Sequence, residues 1–286
     1  MNNVEVLKAL AATLTVPASA FTKTTDVSWI DSELGDIAGG TGTGGGGGGG
    51  GGDNPSGTRL VSSVYYFESI ESGAATYNYE YDSQNRISKI TVTGGSQLNR
   101  GVWTVTYPSS NTIKYNNPEK YYFDLTKNSQ GYVSKYEGNI TGTMTKEDHE
   151  YENGYLTKST VTKEMPFVGN LITNITLTWN NGKLDVIENI TSGSVNHFKK
   201  FTYSYTTIPY KECSVTPWHQ RDVFIPPYLS GKISPNLVSS VKEEDSVLGT
   251  TTTTYRYETD ANGYVTKVHA KINAETEYLL YDVKYK

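Results

Sequence analysis

The sequence predicts a mainly β protein: a large curved antiparallel meander, barrel-like, preceded by a short two-helix N-terminal anchor and a poly-Gly linker. Three observations carry this prediction. Apolar residues recur at period 2 through most of the chain beyond residue 57. Turn signals, several of them Asn-Gly, separate those runs, and 23 tyrosines supply buried area while keeping a polar tip. Nine consecutive glycines, 44–52, lie within "IAGGTGTGGGGGGGGGDNPSG" (37–57). Glycine has the most backbone freedom to lose and no side chain to bury, so such a run divides the chain. It reads either as a flexible tether or as a thin stalk where chains approach too closely for side chains. The expected domains are a helical anchor or oligomerisation segment at 1–38, a Gly-rich linker at 39–57 and an antiparallel β domain at 58–286.

Residues 3–14 read as a helix, with Asn3 as cap and Val4, Leu7, Leu10, Ala11 and Leu14 near one face; Pro17 stops it. "SWIDSELGDIA" is a second candidate, capped by Ser28, with Trp29, Ile30, Leu34 and Ile37 on its apolar side. Helices this short are marginal in water on their own. Val4, Leu7, Leu10, Leu14, Trp29 and Ile30 are therefore the candidate contacts for a partner surface or for other copies of the chain, as a dimer or trimer.

Beyond residue 57 the period changes. "ATYNYEYDSQNRISKITVTG" alternates Tyr77, Tyr79 and Tyr81 with polar residues, turns near Asn85 and resumes at Ile87 and Ile90. "YYFDLTKNSQGYVSKYEG" turns at Gln130-Gly131, "EDHEYENGYLTKSTVTK" at Asn153-Gly154, "ITLTWNNGKLDVIENIT" at Asn181-Gly182 and "YRYETDANGYVTKVHAKI" at Asn262-Gly263. Asn-Gly between alternating runs signals a type I′ hairpin turn, in which both central residues need positive φ. The intervals are unequal, so this is a degenerate meander and not a fixed-period propeller or solenoid. Tyr, Val and Ile on one face, with Lys, Glu, Thr and Asn on the other, predict one packed and one wet face.

The bulk numbers exclude several functions. A formal net charge of −5 with no basic block argues against a nucleic-acid partner. The single cysteine, Cys213, forms no intramolecular disulfide and fits no zinc pattern; it reads as a small buried hydrophobe. No stretch has the ~18 apolar residues of a membrane-spanning helix. The N-terminus offers "ASA" at 18–20 as a cleavage site, but Glu5, Lys8 and Pro17 argue against a signal peptide, and a structural N-terminus is expected.

Candidate chemistry concentrates in 206–236, "TTIPYKECSVTPWHQRDVFIPPYLSGKISPN", a long irregular stretch for a β domain. Trp218, His219, Arg221, Asp222 and Tyr228 form an aromatic-lined contact surface in one reading, with Trp218 and Tyr228 stacking on a sugar ring or protein. In the other, the segment is a plug or flap over the open end of the sheet and the tryptophan only packs. Asp148-His149 are strand neighbours that point to opposite faces. Asn139, Asn174 and Asn189, each opening an "NIT" triplet, read as ordinary strand residues. "KEEDS" (242–246) reads as a solvated hairpin lacking the spaced ligands of a calcium loop. No nucleophile or metal motif is found, and no enzyme, cofactor or metal site is expected.

"NNVEVLKALAATLT…TTDVSWIDSELGDIA" followed by poly-glycine resembles the N-terminal segment of phage head-fibre and related virion appendage proteins, over roughly the first 52 residues. The units "YEYDSQNRISKI", "YENGYLTKS" and "YETDANGYVTKV" resemble a Bacteroidetes lipoprotein family of unknown function with a porin-like β fold, and distantly YD repeats, over about 58–286. The first resemblance implies a non-enzymatic virion structural protein fixed by its N-terminus to a capsid and displaying a β domain for host-surface adhesion. Its partners would be itself, capsid or other virion proteins, and a host-surface glycan or protein. The second implies, as the alternative, a bacterial cell-envelope or secreted protein that binds glycans or protein partners. A hydrolase acting on surface polysaccharide is the least favoured class, because paired carboxylates at recognisable motifs are missing.

Overall fold

The computed structural model describes residues 59–69, 73–95, 100–118, 121–140, 143–165, 169–193, 196–211 and 227–286. The expected anchor and linker, with Val4, Leu7, Leu10, Leu14, Trp29 and Ile30, lie outside the described residues.

Among the described residues, sixteen antiparallel strands follow one another in chain order. They are β1 (Val61–Ser69), β2 (Gly73–Tyr81), β3 (Ile87–Gly94), β4 (Gly101–Ser109), β5 (Thr112–Asn117), β6 (Tyr121–Lys127), β7 (Val133–Ile140) and β8 (Thr143–Glu152). The second half comprises β9 (Tyr155–Met165), β10 (Gly169–Asn180), β11 (Lys183–Ser192), β12 (His197–Pro209), β13 (Asn236–Asp245), β14 (Gly249–Thr259), β15 (Val265–Ile272) and β16 (Tyr278–Tyr285). Each pairs with its chain neighbours, and β1 pairs with β16, so the meander closes into a barrel without a free edge. At the seam Tyr66 faces Tyr281, their rings stacked at 4.9 Å, and the Lys286 amide donates to the Leu60 carbonyl at 2.8 Å. The expected barrel-like meander is therefore a fully closed one.

The end of the barrel at which Leu60 and Lys286 meet carries the turns that join each even strand to the next odd one; it is called the terminal end here, and the opposite rim the far end. Three of these terminal-end turns share one geometry. Asp82 Oδ1 accepts from the amides of Gln84 and Arg86, Asn128 Oδ1 from Gln130 and Tyr132, and Asp260 Oδ1 from Asn262 and Tyr264. Positive φ falls only on the fourth residue of each: Asn85, Gly131 and Gly263. These are five-residue Asx-type loops, which corrects the two-residue type I′ expectation at Asn262-Gly263. Asn153-Gly154 and Asn181-Gly182 do have positive φ at both residues, as a type I′ turn requires.

The inward positions of β1–β7, β15 and β16 make one aromatic and aliphatic core. Tyr77, Ile90, Trp103, Tyr115, Leu125 and Val268 are fully buried in it. A second core, built on Leu156, Val161, Ile175, Leu177, Leu184 and Ile187, fills the terminal half of β9–β13. Burial of each such side chain stabilises by about 1.5–3 kcal/mol.

Candidate functional site

Each hairpin that turns at the far end has an open end at the terminal end, and in all but one an aromatic side chain fastens it. Tyr81 donates to the Val61 carbonyl, Tyr107 to Ile87 and Tyr151 to Val133, at 2.7–2.9 Å. Trp179 Nε1 donates to Leu156, Tyr205 to Leu184, Tyr257 to Val238 and Tyr285 to Val265, at 2.6–2.8 Å. In seven of the eight even strands, then, an aromatic residue at or near the strand's last position holds the start of the preceding odd strand. In β6 the place belongs to Lys127, which is buried and whose amide donates to the Asn111 carbonyl at 2.8 Å. Cations lie over several of these rings, Arg86 over Tyr107 at 4.0 Å and Lys286 over Tyr81 at 4.6 Å. Burial raises the phenol pKa of Tyr107, Tyr151, Tyr205 and Tyr257.

Residues 227–235 pack into this end. Leu229, Ile233 and Ser234 are buried. Ser234 Oγ donates to the Tyr205 hydroxyl at 2.8 Å and accepts from the Leu184 amide at 3.0 Å. The Lys232 amide donates to the Gly154 carbonyl at 2.7 Å. Within 206–236, residues 229–235 pack as a plug, while the contact-surface reading rests mainly on residues outside the described ones. Trp218, His219, Arg221 and Asp222 lie outside the described residues; Tyr228 sits in a short 3-10 turn, Pro227–Ser230.

The far half of the interior differs along β8–β13. Glu147, Ser159, Lys163, Thr173, Asn189, Thr191, Lys199 and Asp245 are all buried there. A uniform division into an apolar packed face and a polar wet face was expected, and this sector corrects it: alternation continues, but several inward positions are polar. One sequence reading changes with it. Glu243 and Asp245, within "KEEDS", face inward opposite Phe201 and Lys199, while Lys242 and Glu244 lie outside and Ser246 is exposed in the turn. Asn189 is buried at an inward position, unlike the exposed Asn174.

The charges in this sector are matched. Lys199 Nζ lies 3.0 Å from Glu243 Oε1 and 3.1 Å from Asp245 Oδ2. His197 Nε2 is 2.9 Å from Asp245 Oδ1, which also accepts from the amides of Val247 and Leu248. Burial pushes the Asp245 carboxyl up, but the hydrogen bonds from His197, the two amides and Lys199 outweigh it and hold the pKa at about 2. His149 faces inward 3.7 Å from Glu147, while Asp148 lies outside 3.7 Å from Lys135, the divergence expected of strand neighbours. His197 and Asp245 were missed by sequence reasoning because they are 48 residues apart and meet only through the β12–β13 register. The network engages both Asp245 oxygens within the protein, so its chemistry is that of an internal ionic clamp. No cluster of metal-ligating side chains occurs among the described residues.

The outer wall is charged on most of its circumference. Cross-strand pairs include Lys89–Glu80, Lys114–Asp124, Lys146–Glu164, Lys158–Glu150, Lys200–Glu188 and Lys267–Glu258, at 2.7–3.4 Å. A transmembrane barrel has the opposite arrangement, apolar outside and polar within. No helix among the described residues is long and apolar enough to cross a membrane, which says nothing about strands.

No family model and no curated protein matches the chain. Among solved structures it is similar to a porin-like protein from Bacteroides uniformis ATCC 8492, with 18% identity, a TM-score of 0.55 and coverage of 80% of this chain and 98% of that one. It is also similar to a porin-like protein from Bacteroides vulgatus ATCC 8482, with 11% identity, a TM-score of 0.62 and coverage of 80% and 99%. At these identities the likeness shows a shared fold. The class that fold and walls define is a closed sixteen-stranded β-barrel with a largely apolar packed interior and a charged outer wall.

Proposed function

We propose that this chain is a non-enzymatic display module: a rigid water-facing barrel carried on a larger assembly by residues 1–57, presenting its surface to a glycan or protein. One observation supports it above the others, the polarity of the two walls. Charged side chains on a lipid-facing wall cost about 2–4 kcal/mol each at mid-bilayer, and here ion pairs occur on most of the circumference. A core this closely packed suits a scaffold better than a conduit.

The Bacteroides neighbours favour the bacterial cell envelope as the setting, exported or at the surface. The head-fibre-like pattern of the first 52 residues favours the second setting, a virion appendage bound through Val4, Leu7, Leu10 and Leu14. In both, the barrel is displayed and the N-terminus holds.

Alkaline carbonate extraction of membranes from cells making the full chain tests the reading. A displayed, water-facing barrel is released into the supernatant. Retention in the pellet together with ion conductance in planar bilayers would show a spanning pore and end the proposal.

A further inference from the structure

The large apolar side chains left exposed among the described residues are Val102, Tyr122, Ile172, Ile190, Phe198, Val247 and Leu248. All belong to the far end. Val102, Tyr122 and Phe198 are the second residues of β4, β6 and β12, each of which starts there. Ile172 is fourth in β10 and Ile190 third from the end of β11, while Val247 and Leu248 form the β13–β14 turn. The strand residues among them point outward, because their chain neighbours Trp103, Phe123, Thr173, Asn189 and Lys199 are buried inside. Ile190 and Phe198 are direct cross-strand partners, and the Phe198 carbonyl accepts from the Ser246 amide at 2.9 Å, which makes the patch continuous into the turn.

From this arrangement we infer that the far rim is a shallow lipid-contact collar, by which the barrel rests on a membrane surface without crossing it. Its height supports this. At most four residues from the rim, at about 3.3 Å rise each along tilted strands, span about 10 Å of barrel height. That matches the ~5–10 Å to which interfacial elements sink into the headgroup–acyl boundary. The next outward row on β11 and β12 is the Glu188–Lys200 ion pair, which sets the depth limit.

Two arguments favour lipid over a second copy of the chain. The collar has two arcs, on β4–β6 and on β10–β13, and β4 and β12 stand eight strands apart on opposite walls. Its strand side chains point radially, so a copy stacked end-on would leave them uncovered, whereas a medium that surrounds the rim covers both arcs. The area also falls short of a protein interface. The five residues of the larger arc, 38–54% exposed, present on the order of 400 Å². A standard interface needs about 800 Å² per partner. The Lys146–Glu164 pair interrupts the collar at β8–β9, which makes the contact shallow and reversible.

Flotation of the full chain with vesicles of phosphatidylethanolamine and phosphatidylglycerol tests the collar. The full chain is expected to float, and Ile190→Thr with Phe198→Thr to float about tenfold less at an unchanged thermal midpoint. Phe198→Trp supplies a local readout, a blue shift of the introduced indole's emission on adding vesicles and quenching by brominated lipid. Equal flotation of the double variant, or an F198W emission indifferent to vesicles, overturns the inference. So does a vesicle-free dimer that the double variant abolishes, which would assign the collar to a second copy. Flotation and carbonate release read different properties, so failure here leaves the water-facing wall standing.

Discussion

Tyr205 on β12 donates its hydroxyl proton to the carbonyl of Leu184 at 2.6 Å, joining the end of one strand to the start of the strand before it. The Leu184 amide is held by Ser234, whose own hydroxyl donates to Tyr205, so both backbone groups of Leu184 are satisfied at a point where the plug meets the wall. The relationship repeats around the terminal end with six other aromatic residues, and it explains why an aromatic residue recurs near the end of seven even strands.

Tyr257→Phe removes one of these clasps and leaves the Val238 carbonyl without its donor. The expected loss is about 1–3 kcal/mol, the range for a buried acceptor left unsatisfied. Urea unfolding followed by far-UV circular dichroism measures it. A change below about 0.3 kcal/mol would mean that the clasp is ornamental.

Gly231→Ala tests the plug. The position has φ +96°, and an added Cβ would lie 2.7 Å from the Gly154 carbonyl oxygen and 2.8 Å from the Tyr151 ring. Neither neighbour is a free end that can move aside. The 227–235 segment should lift, and proteolysis within it should accelerate at least several-fold while the strands stay protected. Unchanged protection would place the segment elsewhere.

The clasp phenols give an alkaline signature. Their folded pKa values are raised by burial, so the stability they contribute is complete below the ordinary tyrosine value and is lost as pH climbs through the folded one. Absorbance at 295 nm should show the clasp tyrosines ionising only above the ordinary tyrosine value, in one cooperative step with unfolding. Smooth titration of all 23 near pH 10 would contradict the buried girdle.

Asp245 gives the acid signature. Its folded pKa of about 2 lies below the ordinary 3.8, so it stabilises the fold above about pH 4 and loses that contribution as pH falls towards 2. The difference corresponds to about 2 kcal/mol at neutral pH. Asp245→Asn also removes the carboxylate 3.1 Å from Lys199 Nζ, so the total loss at pH 7 should reach about 3–5 kcal/mol, with a flatter acid limb. Denaturant midpoints at pH 7, 4 and 2.5 compare the two proteins; equal acid slopes would remove Asp245 from the account.

Much of this was legible in the sequence because it is local. Tyr77 and Tyr79, alternating with Asn78 and Glu80, gave the packed face of β2 directly, and Asn153-Gly154 gave the β8–β9 turn with the right φ at both residues. Closure was not legible, since it rests on pairs such as Val64 with Val283, more than two hundred residues apart. The polar sector was hidden for a related reason. Alternation tells that Lys199 and Phe198 face opposite ways, but only the barrel's register shows that the lysine is inside, opposite Asp245, and the phenylalanine outside. The far collar was hidden in the same way: in sequence Ile190 and Phe198 look like core residues.

The proposed function requires a barrel that stands in water with a packed interior. Analytical ultracentrifugation of the full chain in detergent-free buffer, paired with its circular dichroism spectrum, tests it most directly. A discrete soluble species with a strong β spectrum and a cooperative melt is expected. Aggregation that only detergent relieves, with the β spectrum appearing only in micelles, would contradict it.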